Sequence, residues 1–204
     1  MALVLGITGG VATGKTTVVE MLREMGARTI SADEIAREVL SPGAPAAEEV
    51  AKRFGAAVLT PGGAIDRKAL ADIIFHDEKA REVLNSITHP RIIAILEERI
   101  REFRERAGEG EVLVAEIPLL VECDLLYLVD KVVVVAAEQH TQMSRLTTRG
   151  LSKEQAQERI EAQAPLSGKL ALADWVVWTD KGLTDTRRQV ARIWQEAGKP
   201  RGCT

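Results

Sequence analysis

Eight consecutive residues near the start of the chain match the pattern GxxxxGK[ST], with Gly9 first and Thr16 last. Small residues let successive backbone N–H groups turn inward around an anion, Lys15 can reach the β- and γ-phosphates of a nucleotide, and the Thr16 hydroxyl can ligate Mg²⁺. An apolar run precedes these residues and a helical pattern follows them, so a chance glycine turn does not explain the match. The sequence predicts a strand, a phosphate loop and a helix that together bind a polyphosphate.

We expect the phosphates of a nucleotide to lie against this loop and against the positive N-terminal end of the helix that follows it. The predicted cofactor contacts here are Gly10, Val11, Ala12, Thr13, Gly14, Lys15, Thr16 and Thr17. Lys15 is also an expected catalytic residue, because its ammonium neutralises charge that spreads over the transferring phosphoryl group.

Composition and charge exclude several classes of protein. The chain has 204 residues, 46% hydrophobic and 28% charged, with a formal net charge of −3. The basic clusters at 99–106 and 187–192 have the character of solvated helix faces, so no nucleic-acid partner is expected. Cys123 and Cys203 share no metal or redox spacing, which indicates a reduced, cytoplasmic protein. Charges interrupt the longest apolar region, 112–137, so no membrane span is expected, and the apolar N-terminus is interpreted as a strand rather than a signal peptide.

Short β-branched or apolar runs alternate with long helical patterns. The five runs are 3–8, 28–31, 112–117, 131–136 and 175–179. Strands that alternate with helices form parallel sheets covered on both faces. The predicted fold class is therefore α/β, with a five-stranded parallel sheet of the phosphate-loop NTPase type.

The gap between the second and third runs, about 80 residues, is too long for one crossover helix. Its helical patterns are 34–40, 46–54, 67–75, 78–87 and 90–106. We predict a nucleotide-binding core of residues 1–31, 110–137 and 173–204, a helical substrate-binding insertion at 32–109, and a lid at 138–172. The lid carries several basic residues and few large apolar ones.

A phosphate loop alone does not say where the γ-phosphoryl group goes. The DxxG and NKxD motifs of GTP-binding switches are absent from the sequence. A small chain with a helical insertion and an arginine-bearing lid fits a metabolite kinase, which must exclude water from its nucleotide. A nucleotide or shikimate-type kinase and a regulatory nucleotide-binding module are the alternatives.

Beyond the loop, the chain resembles the dephospho-coenzyme A kinase family along nearly its whole length. The matching residues are the GITGGVATGKTT loop, Ala32-Asp33 with Ile35, Ala36 and Arg37, Phe54-Gly55, Ile65-Asp66-Arg67, Phe75, His89-Pro90, Pro118-Leu119-Leu120 with Glu122, Arg145 and Arg149, Gln163, and Ala173-Asp174. The resemblance implies Mg²⁺-dependent transfer of the ATP γ-phosphoryl group to the 3′-hydroxyl of dephospho-coenzyme A. We expect a monomer or a weak homo-oligomer. Where the family usually has Gly, Asp, Asp and Asn, this chain has Ala12, Ser31, Glu116 and Thr179.

The acid at Asp33 has two interpretations. With Ser31 as a helix cap and Glu34 three residues later, it fits a first-turn acid that gains helix-dipole energy. The resemblance implies instead that Asp33 is the catalytic base that accepts the proton of the acceptor hydroxyl. We favour the catalytic role.

Other residues around the acceptor and the metal also have structural alternatives. Glu116 ends an apolar run, where an acid either holds a metal through water or caps a neighbouring helix. His89-Pro90 fits a helix start, with Pro at the first position. The resemblance implies that Thr16 and Glu116 serve the metal. It also implies that the substrate is bound by Thr8, Asp33, Arg37, Arg67, His89 and Leu119.

Arg145 and Arg149 are four residues apart and share a helix face. Either they pair with solvent and nearby acids, or they reach the ATP phosphates when the lid closes. We predict that Arg145 is the catalytic arginine finger and that Arg149 contacts adenine or the phosphates. Thr179 lies where the family contacts adenine, so it completes the predicted nucleotide site.

Overall fold

The computed structural model describes residues 2–197 and contains one five-stranded sheet. Its strands are β1 (Leu3–Gly9), β2 (Arg28–Ser31), β3 (Val112–Glu116), β4 (Lys131–Ala136) and β5 (Trp175–Trp178). The strand order is β2-β3-β1-β4-β5, and every neighbouring pair is parallel. The predicted α/β fold with five parallel strands is confirmed.

The strand boundaries differ little from those expected. β2 and β4 begin and end as predicted, β1 extends one residue further to Gly9, and β3 and β5 each end one residue earlier. β1 lies at the centre, between β3 and β4, and is buried from Val4 to its last residue. The carboxyl end of this central strand therefore leads straight into the phosphate loop, at the edge where parallel α/β sheets bind ligands.

Nine helices accompany the sheet in the part of the chain that the structure describes. They are α1 (Lys15–Glu24), α2 (Ala32–Val39), α3 (Pro45–Phe54), α4 (Arg67–His76), α5 (Glu78–Arg106), α6 (Gln139–Thr148), α7 (Lys153–Glu161), α8 (Leu166–Leu170) and α9 (Leu183–Ala197). Two short 3₁₀ turns, Gly55–Val58 and Leu126–Leu128, complete the elements. By packing, one unit comprises residues up to Ser31 and from Ile100 onward, and the other comprises Ala32–Arg99.

The core of the first unit lies between the sheet and the helices α1 and α9. Its buried side chains include Leu5, Ile7, Val18, Leu22, Val114, Val133, Val135, Val177, Val190 and Ile193. Apolar side chains alternate along the strands and recur at helical spacing on α1 and α9, which allows both patterns to meet in one core. The helices of the predicted lid, α6 to α8, belong to this unit as well.

The second unit is helical and contains α2, α3, α4 and most of α5. Asp66 caps α4, because its Oδ1 accepts the backbone N–H groups of Lys68 and Ala69 at 3.0 and 3.1 Å. The apolar residues of this second unit that are 0% exposed are Ile35, Val50, Val58 and Leu96. The predicted division into core, insertion and lid remains a prediction.

The sequence predicts two helices at 78–87 and 90–106, and this prediction is wrong. The structure has the single helix α5, with Pro90 in its interior, so Pro90 does not start a helix. Proline removes one backbone hydrogen bond, but Leu84 and Ile87 before it and Leu96 after it are all buried. Apolar side chains buried on both sides of the proline favour a continuous helix over a break.

A membrane span is not found among the described residues, since none of their helices combines sufficient length and apolarity.

Candidate functional site

The phosphate loop begins and ends with two glycines that no other residue replaces easily. A Cβ atom on Gly9 would lie 2.2 Å from the Val135 carbonyl oxygen, so β4 leaves no room for a side chain there. Gly14 has φ of +94°, in the left-handed region that favours glycine, and it precedes the first residue of α1. No side chain caps α1. The first-turn amides of α1, at Thr16 and Thr17, therefore face the loop as donors for an anion.

Lys15 folds back over the loop that precedes it. Its Nζ donates to the carbonyl oxygens of Gly9 at 3.0 Å and Gly10 at 2.8 Å. The hydroxyl of Thr13 also donates to the Gly10 oxygen, at 2.9 Å. These bonds hold the ammonium within the loop, where a phosphate would meet it.

Ala12, one of the departures from the family pattern, has φ of +56°. This left-handed conformation costs a non-glycine residue about 1–2 kcal/mol. The Ala12 carbonyl accepts a hydrogen bond from Arg145 Nη1 at 3.0 Å, and its side chain packs with Leu146 and Ala156. The helices α6 and α7 therefore hold the loop in this conformation.

Arg145 and Thr179 connect α6, which begins the predicted lid, with the end of β5. Arg145 Nη1 donates to Thr179 Oγ1, and Nη2 donates to the Thr179 carbonyl oxygen, both at 2.8 Å. Thr179 is 5% exposed, and its hydroxyl donates to the Thr13 carbonyl at 2.7 Å. Both side chains therefore brace the loop in addition to lining the predicted nucleotide site.

Asp180, the next residue, takes part in the same region. Partial burial alone would raise the pKa of its carboxyl group. Hydrogen bonds from the Thr141 hydroxyl and the Glu138 N–H, with the charge of Arg145, hold that pKa below its ordinary value. The carboxylate stays ionised and adds negative charge beside the guanidinium.

A cavity of about 230 Å³ opens beside the loop. Its walls include six of the predicted cofactor contacts, which are Ala12, Gly14, Thr17, Arg145, Arg149 and Thr179. The remaining walls are Gly182, Leu183 and Thr186, which sequence reasoning missed. The signal for them was their position just beyond the last parallel strand, at the ligand-binding edge of the sheet. Arg149 is exposed at the end of α6.

An acid lies at the end of β3, and the loop that carries the predicted substrate residue Leu119 follows it. Glu116 is the last residue of β3, is 9% exposed, and pairs in register with Ile7 of β1. Thr8 is buried, and its hydroxyl donates to the Pro118 carbonyl at 3.0 Å. Leu119, the next residue, has its side chain exposed. Thr8 therefore fixes the loop that presents Leu119.

An ion pair between a buried lysine and a more exposed glutamate holds this same loop. Lys169 of α8 is 2% exposed, and its Nζ lies 2.7 Å from Glu122 Oε1 and 3.4 Å from the Pro118 oxygen. Since an ammonium is costly to bury without a partner, the pair must form for α8 to pack here.

The second unit carries the other predicted substrate residues. Asp33 is exposed in the first turn of α2, two residues after β2 ends, and Arg37 is one turn further on the same helix. Arg67, the first residue of α4, donates to the Arg37 carbonyl at 3.0 Å. Burial lowers the pKa of His89 in α5, which favours its neutral form at pH 7. The structure thus brings Arg37 and Arg67 together, and the position of Asp33 fits both of its interpretations.

A parallel sheet with this strand order, a GxxxxGKT loop after its central strand and a helix N-terminus behind the loop define a protein of the phosphate-loop NTPase class. Within this class, residues 3–185 match the family model described as dephospho-CoA kinase. The chain belongs to the dephospho-CoA kinase family.

Individual relatives agree with the family match. The chain is 43% identical over 194 residues to the dephospho-CoA kinase of Moorella thermoacetica. The aligned region covers 95% of this chain and 91% of the relative. The solved structure of dephospho-CoA kinase from Campylobacter jejuni is 30% identical, with a TM-score of 0.71 and coverage of 97% and 98% of the two chains. A shikimate kinase from Bacteroides thetaiotaomicron, at 14% identity, covers 95% and 97% with a TM-score of 0.53, a likeness that shows the fold alone.

Proposed function

We propose that the protein transfers the γ-phosphoryl group of ATP to the ribose 3′-hydroxyl of dephospho-CoA, giving CoA and ADP, which is the last step of CoA synthesis. The observation that carries the proposal is the family match, which spans both the phosphate loop and the helical unit of residues 32–99. A match confined to the loop would support only nucleotide binding, because many enzymes share that motif.

The nucleotide is bound in the first unit. The loop amides and the α1 N-terminus receive the phosphates, and Lys15 needs only to leave two carbonyl oxygens to meet the β- and γ-phosphates. The adenosine lies in the cavity beside Ala12, Gly14 and Thr179. Arg145 already makes three side-chain hydrogen bonds, to Ala12 and Thr179, whereas the side chain of Arg149 at the cavity rim has no hydrogen-bond or ion-pair partner within residues 2–197. Arg145 therefore has a bracing role beside its proposed role as the finger, and Arg149 binds the nucleotide with it.

Mg²⁺ is proposed as the metal, and Thr16 and Glu116 are proposed as the residues that hold it. No cluster of three or more acidic, histidine or cysteine side chains that could cage a metal exists within residues 2–197. This fits Mg²⁺, which nucleotide kinases bind through one or two protein oxygens, substrate phosphates and waters. When bound, the ion neutralises charge on the phosphate oxygens. Glu116, at a buried strand end, places a carboxylate oxygen at that edge of the sheet.

The acceptor is proposed to lie with Asp33, Arg37, Arg67, His89, Thr8 and Leu119. Asp33 accepts the proton of the 3′-hydroxyl as that oxygen forms its bond to the γ-phosphorus. The bond from the γ-phosphorus to the β–γ bridging oxygen breaks, and ADP leaves with the electron pair. The Lys15 ammonium and the α1 amides stabilise the developing charge. Arg37 and Arg67, two guanidinium groups of one unit, supply positive charge for the anionic substrate.

Residues 138–172 are proposed as a lid that excludes water during transfer, and residues 32–109 as the substrate-binding insertion. A monomeric or weakly self-associating cytoplasmic enzyme without nucleic-acid or membrane partners agrees with a net charge of −3 and interleaved surface charges.

Coupled measurement of ADP release across a panel of acceptors tests the proposal. We expect turnover with dephospho-CoA, and mass spectrometry should find one added phosphoryl group on the ribose. Shikimate and nucleoside monophosphates serve as alternative acceptors. Shikimate is included because a shikimate kinase shares the fold. Turnover with either of these and none with dephospho-CoA would contradict the proposal.

A further inference from the structure

Gln163, between α7 and α8, reaches the phosphate loop from a distant part of the chain. Its Oε1 accepts the backbone N–H of Val11 at 2.7 Å, across 152 residues of sequence. Val11 is the third residue of the GxxxxGKT loop, so this contact falls inside the proposed ATP site. None of the roles assigned above explains it.

The contact fixes the direction of the Gln163 side-chain amide. A backbone N–H can only donate, so the atom that faces Val11 must be the amide oxygen. The NH₂ group therefore points away from Val11, and the hydrogen bonds among residues 2–197 include no acceptor for it. Gln163 thus presents a donor pair at the loop.

Lys15 and Gln163 hold opposite ends of one peptide group. Lys15 Nζ donates to the Gly10 carbonyl oxygen at 2.8 Å, and that carbonyl is bonded to the Val11 nitrogen. The Lys15 ammonium and the Gln163 amide oxygen are therefore no more than about 8 Å apart. The Gly10–Val11 peptide group joins the two contacts, so the Gln163 side-chain amide lies close to the ammonium that is expected to meet the β- and γ-phosphates.

The surroundings hold Gln163 in place. A Cβ atom built on Gly10 would lie 3.2 Å from Gln163 Oε1 and 3.4 Å from Gln142 Oε1, so both side chains close over Gly10. Gln142 is fixed in turn by donating to the Ala137 carbonyl at 2.9 Å. The Val11 side chain packs against the apolar cluster of α6 and α7.

We propose that Gln163 is a γ-phosphate-binding residue that acts beside Lys15 at the terminal phosphoryl group of ATP. Its amide oxygen orients the Val11 peptide, and its NH₂ group donates to a γ-phosphate oxygen. This inference depends on the proposed function, since it requires ATP in the phosphate loop. ADP lacks the γ-phosphate, so Gln163 contributes to the affinity for ATP and not to that for ADP.

Equilibrium titration of ATP and ADP, without acceptor, tests the inference in the wild type and two variants. Gln163→Met keeps the length of the side chain and removes both polar groups. Gln163→Glu keeps an acceptor for Val11 and replaces the NH₂ donor by a charged oxygen. We expect the ratio of ATP to ADP affinity to fall about tenfold in Gln163→Met and at least as far in Gln163→Glu. ADP affinity should stay within about twofold of the wild type.

Two further variants control the measurement. Gln157→Met makes the same change in the same segment, at a side chain that contacts Gln139 and Glu161 and not the loop, and should keep the wild-type ratio. Gly10→Ala displaces Gln163 from the other side and should lower the ratio as well. The latter variant keeps the inference testable if a Gln163 variant fails to fold.

A wild-type ratio in Gln163→Met would overturn the inference. So would a wild-type ratio in Gln163→Glu together with a loss in Gln163→Met, because only the bond to Val11 would then matter. Failure of the proposed function is a different result, in which the wild type itself binds neither nucleotide.

Discussion

Arg145 meets Thr179 through two hydrogen bonds of 2.8 Å, one to the hydroxyl oxygen and one to the carbonyl oxygen. The same hydroxyl donates to the Thr13 carbonyl at 2.7 Å. Three parts of the chain, the phosphate loop, α6 and the end of β5, are therefore joined at one buried hydroxyl. The family usually has an asparagine at this position, and in this chain the smaller threonine side chain makes the junction.

Thr179→Val should weaken both the fold and nucleotide binding. The change preserves shape but leaves the Thr13 carbonyl without this donor and Arg145 without one acceptor, which costs about 1–3 kcal/mol of unfolding free energy. Denaturant titration and ATP binding measure the two effects. Thr179→Ser retains the hydroxyl and should stay close to wild type in both. Equal ATP affinity in the valine and serine variants would show that this junction does not contribute to nucleotide binding.

Lys15→Ala should lower kcat/KM by at least about 100-fold, because a charge that stabilises the transferring phosphoryl group is lost. Steady-state ADP release measures the effect. Lys153→Ala removes an exposed lysine at the start of α7 and is the matched control. The melting temperatures of both variants should remain near that of the wild type. Retained turnover in folded Lys15→Ala would contradict phosphate binding by this loop.

Asp33→Asn should lower kcat by about 10²- to 10⁴-fold with little change in the KM for ATP. Its neighbour Glu34 occupies the same first turn of α2, so Glu34→Gln measures the loss of helix-dipole energy alone. Steady-state kinetics of the two variants separate the catalytic interpretation from the structural one. A fall of less than about tenfold in Asp33→Asn, matched by Glu34→Gln, would assign Asp33 to the structural role.

Gly9→Ala should prevent stable folding of the first unit, since its Cβ would lie 2.2 Å from the Val135 carbonyl in the middle of the sheet. Gly168→Ala is the matched control: it lies in α8 with open space around its Cβ position, and alanine there should stabilise by about 0.5–1 kcal/mol. Thermal unfolding of both proteins checks the pair. A wild-type melting temperature for Gly9→Ala would contradict the close approach of β4.

His89 should make the protein less stable as the pH falls. Burial holds its folded-state pKa below the unfolded value of about 6.5, so the unfolded chain binds more protons between these two values. Stability is therefore retained above about pH 6.5 and declines as the pH drops toward the folded-state pKa. His89→Asn should lose less stability than wild type between pH 7 and pH 5 in denaturant titrations. His76 and His140 remain in both proteins, so their contributions cancel. If the free energy of unfolding fell equally with pH in the wild type and in His89→Asn, the prediction would be contradicted.

Sequence reasoning worked best where chemistry is local. The sequence predicts the strand boundaries to within one residue because each strand coincides with a short β-branched or apolar run bounded by turns or charges. It failed at Pro90, because a proline signals a helix break locally while buried residues on both sides keep α5 continuous. Local signals cannot weigh these two effects against each other.

The candidate site also contains residues that local spacing predicts and contacts that it cannot predict. The loop glycines, Lys15 and Thr16 follow from their spacing alone. The Arg145 contact with Thr179 joins residues 34 apart, and the Val11 contact with Gln163 joins residues 152 apart. Neither pairing leaves a periodic trace, because both depend on how residues 138–172 pack against the loop. Gly182, Leu183 and Thr186 lie instead just beyond the last parallel strand, a position that signals a binding site without saying which side chains line it.

The methyl group of Ala12 packs in one apolar cluster with Leu146 of α6 and Ala156 of α7. A glycine at this position has no side chain to make that contact. We therefore expect nucleotide binding and the placement of α6 and α7 to be coupled, so that a substitution in this cluster changes the affinity for ATP without touching a phosphate.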